Sequence, residues 1–276
     1  MASSLLFLFA FLIATFGHAR CAPDVPWSQN YVLLYGQDHT QLLNQETEIQ
    51  ISLDQASGAA FKSLKAYGSG FFGMRMKLPN KDTTGIITTF YLRSYTNNHD
   101  ELDFEFLGGK GQNYLLQTNV FTNGQGGREQ QISLWFDPTE DFHDYQLIWN
   151  QHQVVWFVDG TPIRVFKNNQ NIGVGYPVQA MQIEASIWNG TWAGKPNWSQ
   201  APFQAHYQGF GIDGCPAQLN IIGSECSSPT FDWNGEKYWK LDPQQRMAYE
   251  DVRNKHMMYD YCTVGPKAPP ECQSNQ

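Results

Sequence analysis

From Trp27 to about Asp213 the chain moves in short bursts of alternating apolar and polar residues, separated by turn residues, with a period of two. Residues 47–53 and 70–78 alternate in this way, and 85–92 is a β-branched and aromatic run. Further strand patterns fall at 113–121, 130–136, 145–149 and 154–158. Asp159-Gly160, between the runs 154–158 and 162–166, is a hairpin signal. Strands this short and this frequent, with no long helical period, predict an all-β sandwich or jelly roll. The one helix signal comes late. Asp242 stands as a cap, Pro243 occupies the first helical position, and 244–254 holds good helix formers. Met257, Tyr259 and Tyr261 then alternate in a strand ending at Cys262.

One strand pattern is unusual. His99-Asp100-Glu101-Leu102-Asp103-Phe104-Glu105-Phe106-Leu107 puts Glu101, Asp103 and Glu105 on one face and Leu102, Phe104 and Phe106 on the other. Three carboxylates in a row repel one another, so water or a ligand must cover that face. Glycosidic bond cleavage needs two carboxyl groups with different duties, one nucleophilic and one protonated. A retaining pair stands roughly 5–5.5 Å apart, whereas residues i and i+4 of a straight strand lie about 13 Å apart along its axis. The catalytic reading therefore requires a curved sheet over which both glutamates lean inward. A middle Asp103 suits it, because it can hydrogen-bond the nucleophile and its charge raises a neighbour's pKa. The competing readings are a solvated polar face or a calcium-binding acidic cluster.

Composition narrows the partners. Aromatic residues make up 14% of 276 residues, with nine Trp and thirteen Tyr, which suits a protein that stacks rings on sugars. The net charge is −8 and no basic run appears, arguing against nucleic acid and anionic membranes. Residues 5–16 form an apolar run broken only by Thr15, too short to span a membrane and placed as a secretory signal would be. Cleavage after Ala19 or after Cys21 fits the small-residue rule. The chain is expected to divide into a signal peptide (1–21), a catalytic jelly roll (22–213) and an extension (214–276), and to act as a secreted monomer. Cys215, Cys226, Cys262 and Cys272 then allow two disulfides in three connectivities. Local pairing, Cys215–Cys226 and Cys262–Cys272, closes two short loops and is the expected one. The alternative for these cysteines, a zinc site, has no CxxC or companion His, so no metal or cofactor is expected.

The run His-Asp-Glu-Leu-Asp-Phe-Glu-Phe-Leu-Gly resembles the active-site strand of glycoside hydrolase family 16, and more closely that of the plant xyloglucan endotransglucosylase/hydrolases. Tyr259-Asp260-Tyr261-Cys262 resembles the C-terminal extension of those plant enzymes, so the likeness runs from about Asn30 to Cys272. It implies a β-jelly-roll sandwich of two curved antiparallel sheets with a one-helix extension, the local disulfide pairing, and a place in the cell wall or apoplast. It also implies Glu101 as nucleophile, Glu105 as proton donor and Asp103 as the assisting group. Gln117-Thr118-Asn119 matches a segment whose amides bond sugar hydroxyls. Gly127-Arg128-Glu129 matches the next sugar-contacting segment, and Trp188 through Trp192, Ala193 and Gly194 matches the acceptor side of the cleft. Away from the acidic strand, Gln117 and Asn119 read as an ordinary polar face, 127–129 as a turn, and Trp192 as core.

Three departures from the family pattern stand out. No glycosylation sequon lies in 108–113; sequons occur instead at Asn189 and Asn197. Only Gly194-Lys195-Pro196 separates Ala193 from Asn197, a loop shorter than usual. The last disulfide loop, 263–271, carries Lys267 in place of an Arg that would fork onto the polysaccharide. The implied activity is cleavage of the β-1,4-glucan backbone of xyloglucan, with transfer of one half to another glucan or to water. The alternative is a lectin-like sandwich that binds wall glucan without turnover.

Overall fold

The computed structural model describes residues 24–273; the expected signal peptide lies outside them. The strands are β1 (Tyr31–Tyr35), β2 (Thr40–Leu43), β3 (Glu48–Leu53), β4 (Ala59–Ser63), β5 (Ala66–Lys77), β6 (Ile86–Arg93), β7 (Glu101–Gly108) and β8 (Tyr114–Phe121). They continue as β9 (Gln130–Ser133), β10 (His143–Trp149), β11 (Gln153–Val158), β12 (Thr161–Lys167), β13 (Gln182–Asn189), β14 (Phe203–Gln208), β15 (Asp213–Ala217) and β16 (Met257–Asp260). One sheet runs β1-β4-β13-β6-β7-β8-β9-β16, the other β12-β11-β10-β5-β14-β3-β2 with β15 paired to β5. A one-turn helix, α1 (Trp27–Asn30), precedes β1, and α2 (Pro243–His256) lies in the extension.

The core lies between the sheets because each inner face supplies every second side chain. Leu102, Phe104 and Phe106 of β7 are fully buried, as are Tyr145 and Leu147 of β10 opposite. Phe106 meets Tyr145 edge to face at 4.6 Å between centroids, a geometry that favours aromatic pairs beyond their area alone. β11 is buried on both faces, which explains why its sequence is an unbroken apolar run rather than an alternation. Its outer face is covered by the extension: Ile148, Val155 and Val165 pack with Cys215, Cys226, Trp233 and Tyr249. The β11–β12 turn has positive φ at both Asp159 (47°) and Gly160 (75°), as a two-residue hairpin of the twist-matched kind requires.

α2 begins where the sequence places it. The Asp242 carboxylate accepts from Gln245 N at 2.8 Å while Gln245 Oε1 accepts from Asp242 N at 3.2 Å, closing a capping box. The helix continues to His256, two residues past the expected end, with Arg253, Lys255 and His256 in its last turn, where cations suit the dipole. Two strands end earlier than their patterns suggest. β9 stops at Ser133, and Phe136 instead stacks on His143 at 3.6 Å. β16 stops at Asp260, whose carboxylate accepts from Cys262 N at 3.0 Å and turns the chain. Disulfides join Cys215 to Cys226 and Cys262 to Cys272, the expected local pairing. The extension is thereby stitched into both sheets, through β15 on β5 and β16 on β9. None of the described helices is long and apolar enough to cross a membrane.

Candidate active site

β7 sits between β6 and β8, so each of its acidic residues has a same-face neighbour on either side. Three rows result. Glu105 lies between Thr89 and Gln117, Asp103 between Tyr91 and Asn119, and Glu101 between Arg93 and Phe121. β13 extends the rows with Ser186 beside Thr89 and Glu184 beside Tyr91. β9 adds Gln131 beside Gln117. The acidic face is therefore the centre of a polar patch five strands wide. A cavity of about 300 Å³ opens over it, lined by the three carboxyl groups with Tyr91, Arg93 and Trp188 among others. A second cavity of about 570 Å³ adjoins it, sharing Tyr35, Tyr91, Arg93 and Ser186, and adds Tyr95 and Glu184.

Burial lifts all three carboxyl groups, and their partners then separate them. Glu101 is pushed up to about 7 by burial, against the pull of Arg93 and of a hydrogen bond with Asp103. Arg93 Nη1 stands 3.4 Å and His99 Nε2 3.7 Å from Glu101 Oε2. Asp103 is held well above the usual carboxylate range by burial and by the negative charges of Glu101 and Glu105, with Arg164 opposing from below. The hydrogen bond between them thus favours the proton on Asp103 over Glu101. Glu105 is raised by burial and by Glu129, and held back by Gln117. Gln117 Nε2 donates to Glu105 Oε2 at 2.7 Å, and Gln117 Oε1 accepts from Gln131 Nε2 at 2.8 Å. Charge at Glu101 has a cation and a proton donor to support it. Charge at Glu105 has only a neutral amide.

The other expected site residues divide. Asn119 shares the face of Gln117, and its carbonyl oxygen accepts from Arg128 N at 3.1 Å while its amide donates to Glu129 Oε1 at 3.2 Å. Thr118 corrects the expectation for its side chain. Alternation turns it inward, it is fully buried, and its hydroxyl accepts from Arg164 Nη1 at 3.0 Å. The Arg128 guanidinium is committed to Glu271 of the last disulfide loop at 3.0 Å and to the carbonyl of Gln125 at 2.8 Å. Gly127 sits at positive φ (77°) with open space where a Cβ would go. Trp188 lines the central cavity. Trp192, on a short helical turn from Thr191 to Ala193, is 61% exposed and so is not core. Gly190, with no side chain, lets the two indoles approach: a Cβ there would meet Trp192 Nε1 at 3.0 Å and Trp188 Cζ3 at 3.3 Å. Gly194 closes against Gly85, where a Cβ would meet its carbonyl at 2.5 Å. Asn189 and Asn197 are both exposed.

Several groups in the site had no place in the sequence reading. Arg164 is fully buried under the cleft, donating to the Thr118 and Arg128 carbonyls, each at 2.7 Å. Its only sequence signal is an arginine inside an otherwise apolar strand. Glu184 accepts from the hydroxyls of Tyr91 (2.6 Å) and Tyr95, and Gln131 orients Gln117. Their neighbours are set by strand order, which no local pattern reveals. Among the described residues, no group of three or more His, Cys, Asp or Glu is arranged to hold a metal ion.

Residues 27–209 match the model of the glycosyl hydrolases family 16. The chain is 47% identical to xyloglucan endotransglucosylase/hydrolase protein 2 of Arabidopsis thaliana, covering 99% of this chain and 96% of the relative. It is 43% identical to xyloglucan endotransglucosylase protein 2 of Diospyros kaki, covering 98% and 96%. Among solved structures it is similar to a Bacillus licheniformis β-glucanase, with TM-score 0.58, 25% identity, and coverage of 70% of this chain and 96% of that one. The Crh5 transglycosylase shares the fold at TM-score 0.53, with 22% identity and coverage of 67% and 79%.

Proposed function

The chain belongs to the glycosyl hydrolases of family 16, and within them to the xyloglucan endotransglucosylase/hydrolases, and from that premise we propose the following activity. The protein is a secreted enzyme of the plant cell wall that cuts the β-1,4-glucan backbone of xyloglucan and passes the donor half to another glucan chain or to water. Glu101 attacks the anomeric carbon while Glu105 gives its proton to the glycosidic oxygen, releasing one half of the chain. Glu105, now charged, takes the proton from an incoming glucan hydroxyl, which displaces Glu101 and leaves the product with retained configuration. Asp103 holds Glu101 in place and steadies its charge through the hydrogen bond between them. Gln117 and Asn119 border the sugar, while Trp188 and Trp192 receive the acceptor.

The observation that carries this reading is the set of three buried carboxyl groups on one face of β7, lining one cavity, with different partners for the two glutamates. Glu101 has Arg93 and Asp103, and Glu105 has only Gln117. A lectin-like binder has no use for such a set, since desolvating carboxyl groups against a neutral sugar costs several kcal/mol. Sizing of xyloglucan with and without a labelled oligosaccharide acceptor tests the proposal. Chain shortening or label exchange is expected, abolished in Glu101→Ala with the fold intact. Unchanged chain lengths and no exchange in the wild type would leave only the binding reading.

A further inference from the structure

We propose that Arg93 is a positioning residue for the nucleophile, easing the ionisation of Glu101 from the adjacent strand against the acidic groups around it; this rests on the assignment of Glu101 above. The placement is built into the register. Arg93 is the last residue of β6 and stands directly across from Glu101, the first residue of β7. Cross-strand partners on one face bring their side chains within reach of each other along their whole length. Arg93 Nη1 comes to 3.4 Å from Glu101 Oε2, an oxygen that is buried and takes no hydrogen bond among the described residues. Arg93 also lines both cavities, so it borders the nucleophile without being sealed beneath it.

The surroundings of Glu101 show why a cation is needed there. From its own strand, Asp103 and Glu105 face it; from β13, Glu184 adds a third acidic group. Tyr91 of β6 donates to Glu184, and Phe121 of β8 is apolar. His99, just before β7, stands at 3.7 Å, but burial and Arg93 itself hold its pKa below the usual histidine range. A neutral imidazole adds no charge. Arg93 is therefore the standing positive charge at the mouth of an acidic, partly dehydrated cleft. A guanidinium cannot be titrated away in the range where the enzyme works. An opposite charge at this distance favours the ionised carboxyl, although 42% exposure of the Arg93 side chain moderates the effect.

The acid limb of kcat/KM against pH reports ionisation of the nucleophile in the free enzyme. Arg93→Met keeps the length and apolar stem of the side chain and removes its charge. Its acid limb should move to higher pH, with activity about 3–10-fold below wild type near pH 5 and the gap narrowing as pH rises. Arg93→Lys keeps the charge and should return the limb most of the way. A residue that merely packed, or merely touched sugar, would scale the curve by one factor at every pH. An acid limb at the wild-type position in Arg93→Met overturns the inference, whatever happens to the absolute rate. Turnover in Glu101→Ala would instead overturn the assignment on which it rests, so the two failures are distinguishable.

Discussion

Glu101 carries opposite demands from folding and from catalysis. Its folded pKa, about 7, stands above the ordinary 4.5, so the folded state binds a proton that the unfolded chain gives up. Stability from this group is complete below pH 4.5 and is lost as pH rises through about 7. The loss amounts to at most on the order of 3 kcal/mol. Glu101→Gln keeps the shape and cannot ionise. Its melting temperature should match wild type near pH 4 and exceed it by several degrees above pH 7, and parallel melting curves across that span would refute the lift. Glu105→Ala should act differently, slowing substrates with poor leaving groups most, because it removes the acid. Equal losses for activated and unactivated leaving groups would argue against that role. Alternation alone put Glu101, Asp103 and Glu105 on one face of their strand and Gln117 and Asn119 on one face of theirs; the pairing of β7 with β8 joins the two. The same alternation turns Thr118, between two outward residues, into the core.

At the level of elements, β16 and the final disulfide loop are tied to the strands beside the acidic face. β16 pairs with β9, Tyr261 N donates to the Glu129 carbonyl at 3.1 Å, and Glu271 holds Arg128 at 3.0 Å. Arg128 N in turn donates to Asn119. A chain of contacts thus leads from the Cys262–Cys272 loop to Asn119 on the polar face of β8. Glu271 is buried and the Arg128 side chain only 14% exposed, so removing Glu271 leaves the Arg128 charge facing only the neutral carbonyls of Val120 and Gln125 among the described residues. Glu271→Ala should destabilise by about 3–5 kcal/mol and raise KM through a displaced Asn119. A variant with wild-type melting temperature and KM would mean that the loop only decorates the surface. Reduction of the disulfides should loosen the extension before the sandwich melts, each short loop being worth about 2–4 kcal/mol. The element types were legible because period, cap and hairpin residues are local signals, as in Asp242-Pro243 and Asp159-Gly160. Strands such as β4 and β13 were not picked out. Their burial comes from neighbours distant in sequence, and Gln182, Glu184 and Ser186 disguise a buried strand as a polar one.

For the whole molecule, the balance between transfer and hydrolysis depends on whether an acceptor sugar stays in the cleft longer than water takes to attack. That residence draws on contacts remote from the reacting carbon. On the side proposed to take the acceptor, the chain offers few groups for such contacts. Arg128 is spent on Glu271, the final loop offers Lys267 rather than an arginine, and only Gly194-Lys195-Pro196 follows Ala193. What remains is Trp192, 61% exposed beside Trp188, an arrangement that offers a broad apolar ring to a sugar face. A single aromatic platform of this kind contributes roughly 1–3 kcal/mol by analogy with flat rings elsewhere. The acceptor KM is therefore expected to be high in the wild type. It should rise about 5–140-fold in Trp192→Ala, with hydrolysis of xyloglucan little changed because the proposed donor side is untouched. Lengthening the loop between Ala193 and Asn197 should lower it. Acceptor saturation curves that are the same in wild type, Trp192→Ala and the long-loop variant would show that the acceptor enters along another wall, and the tyrosine-lined cavity beside Glu184 would be the place to look.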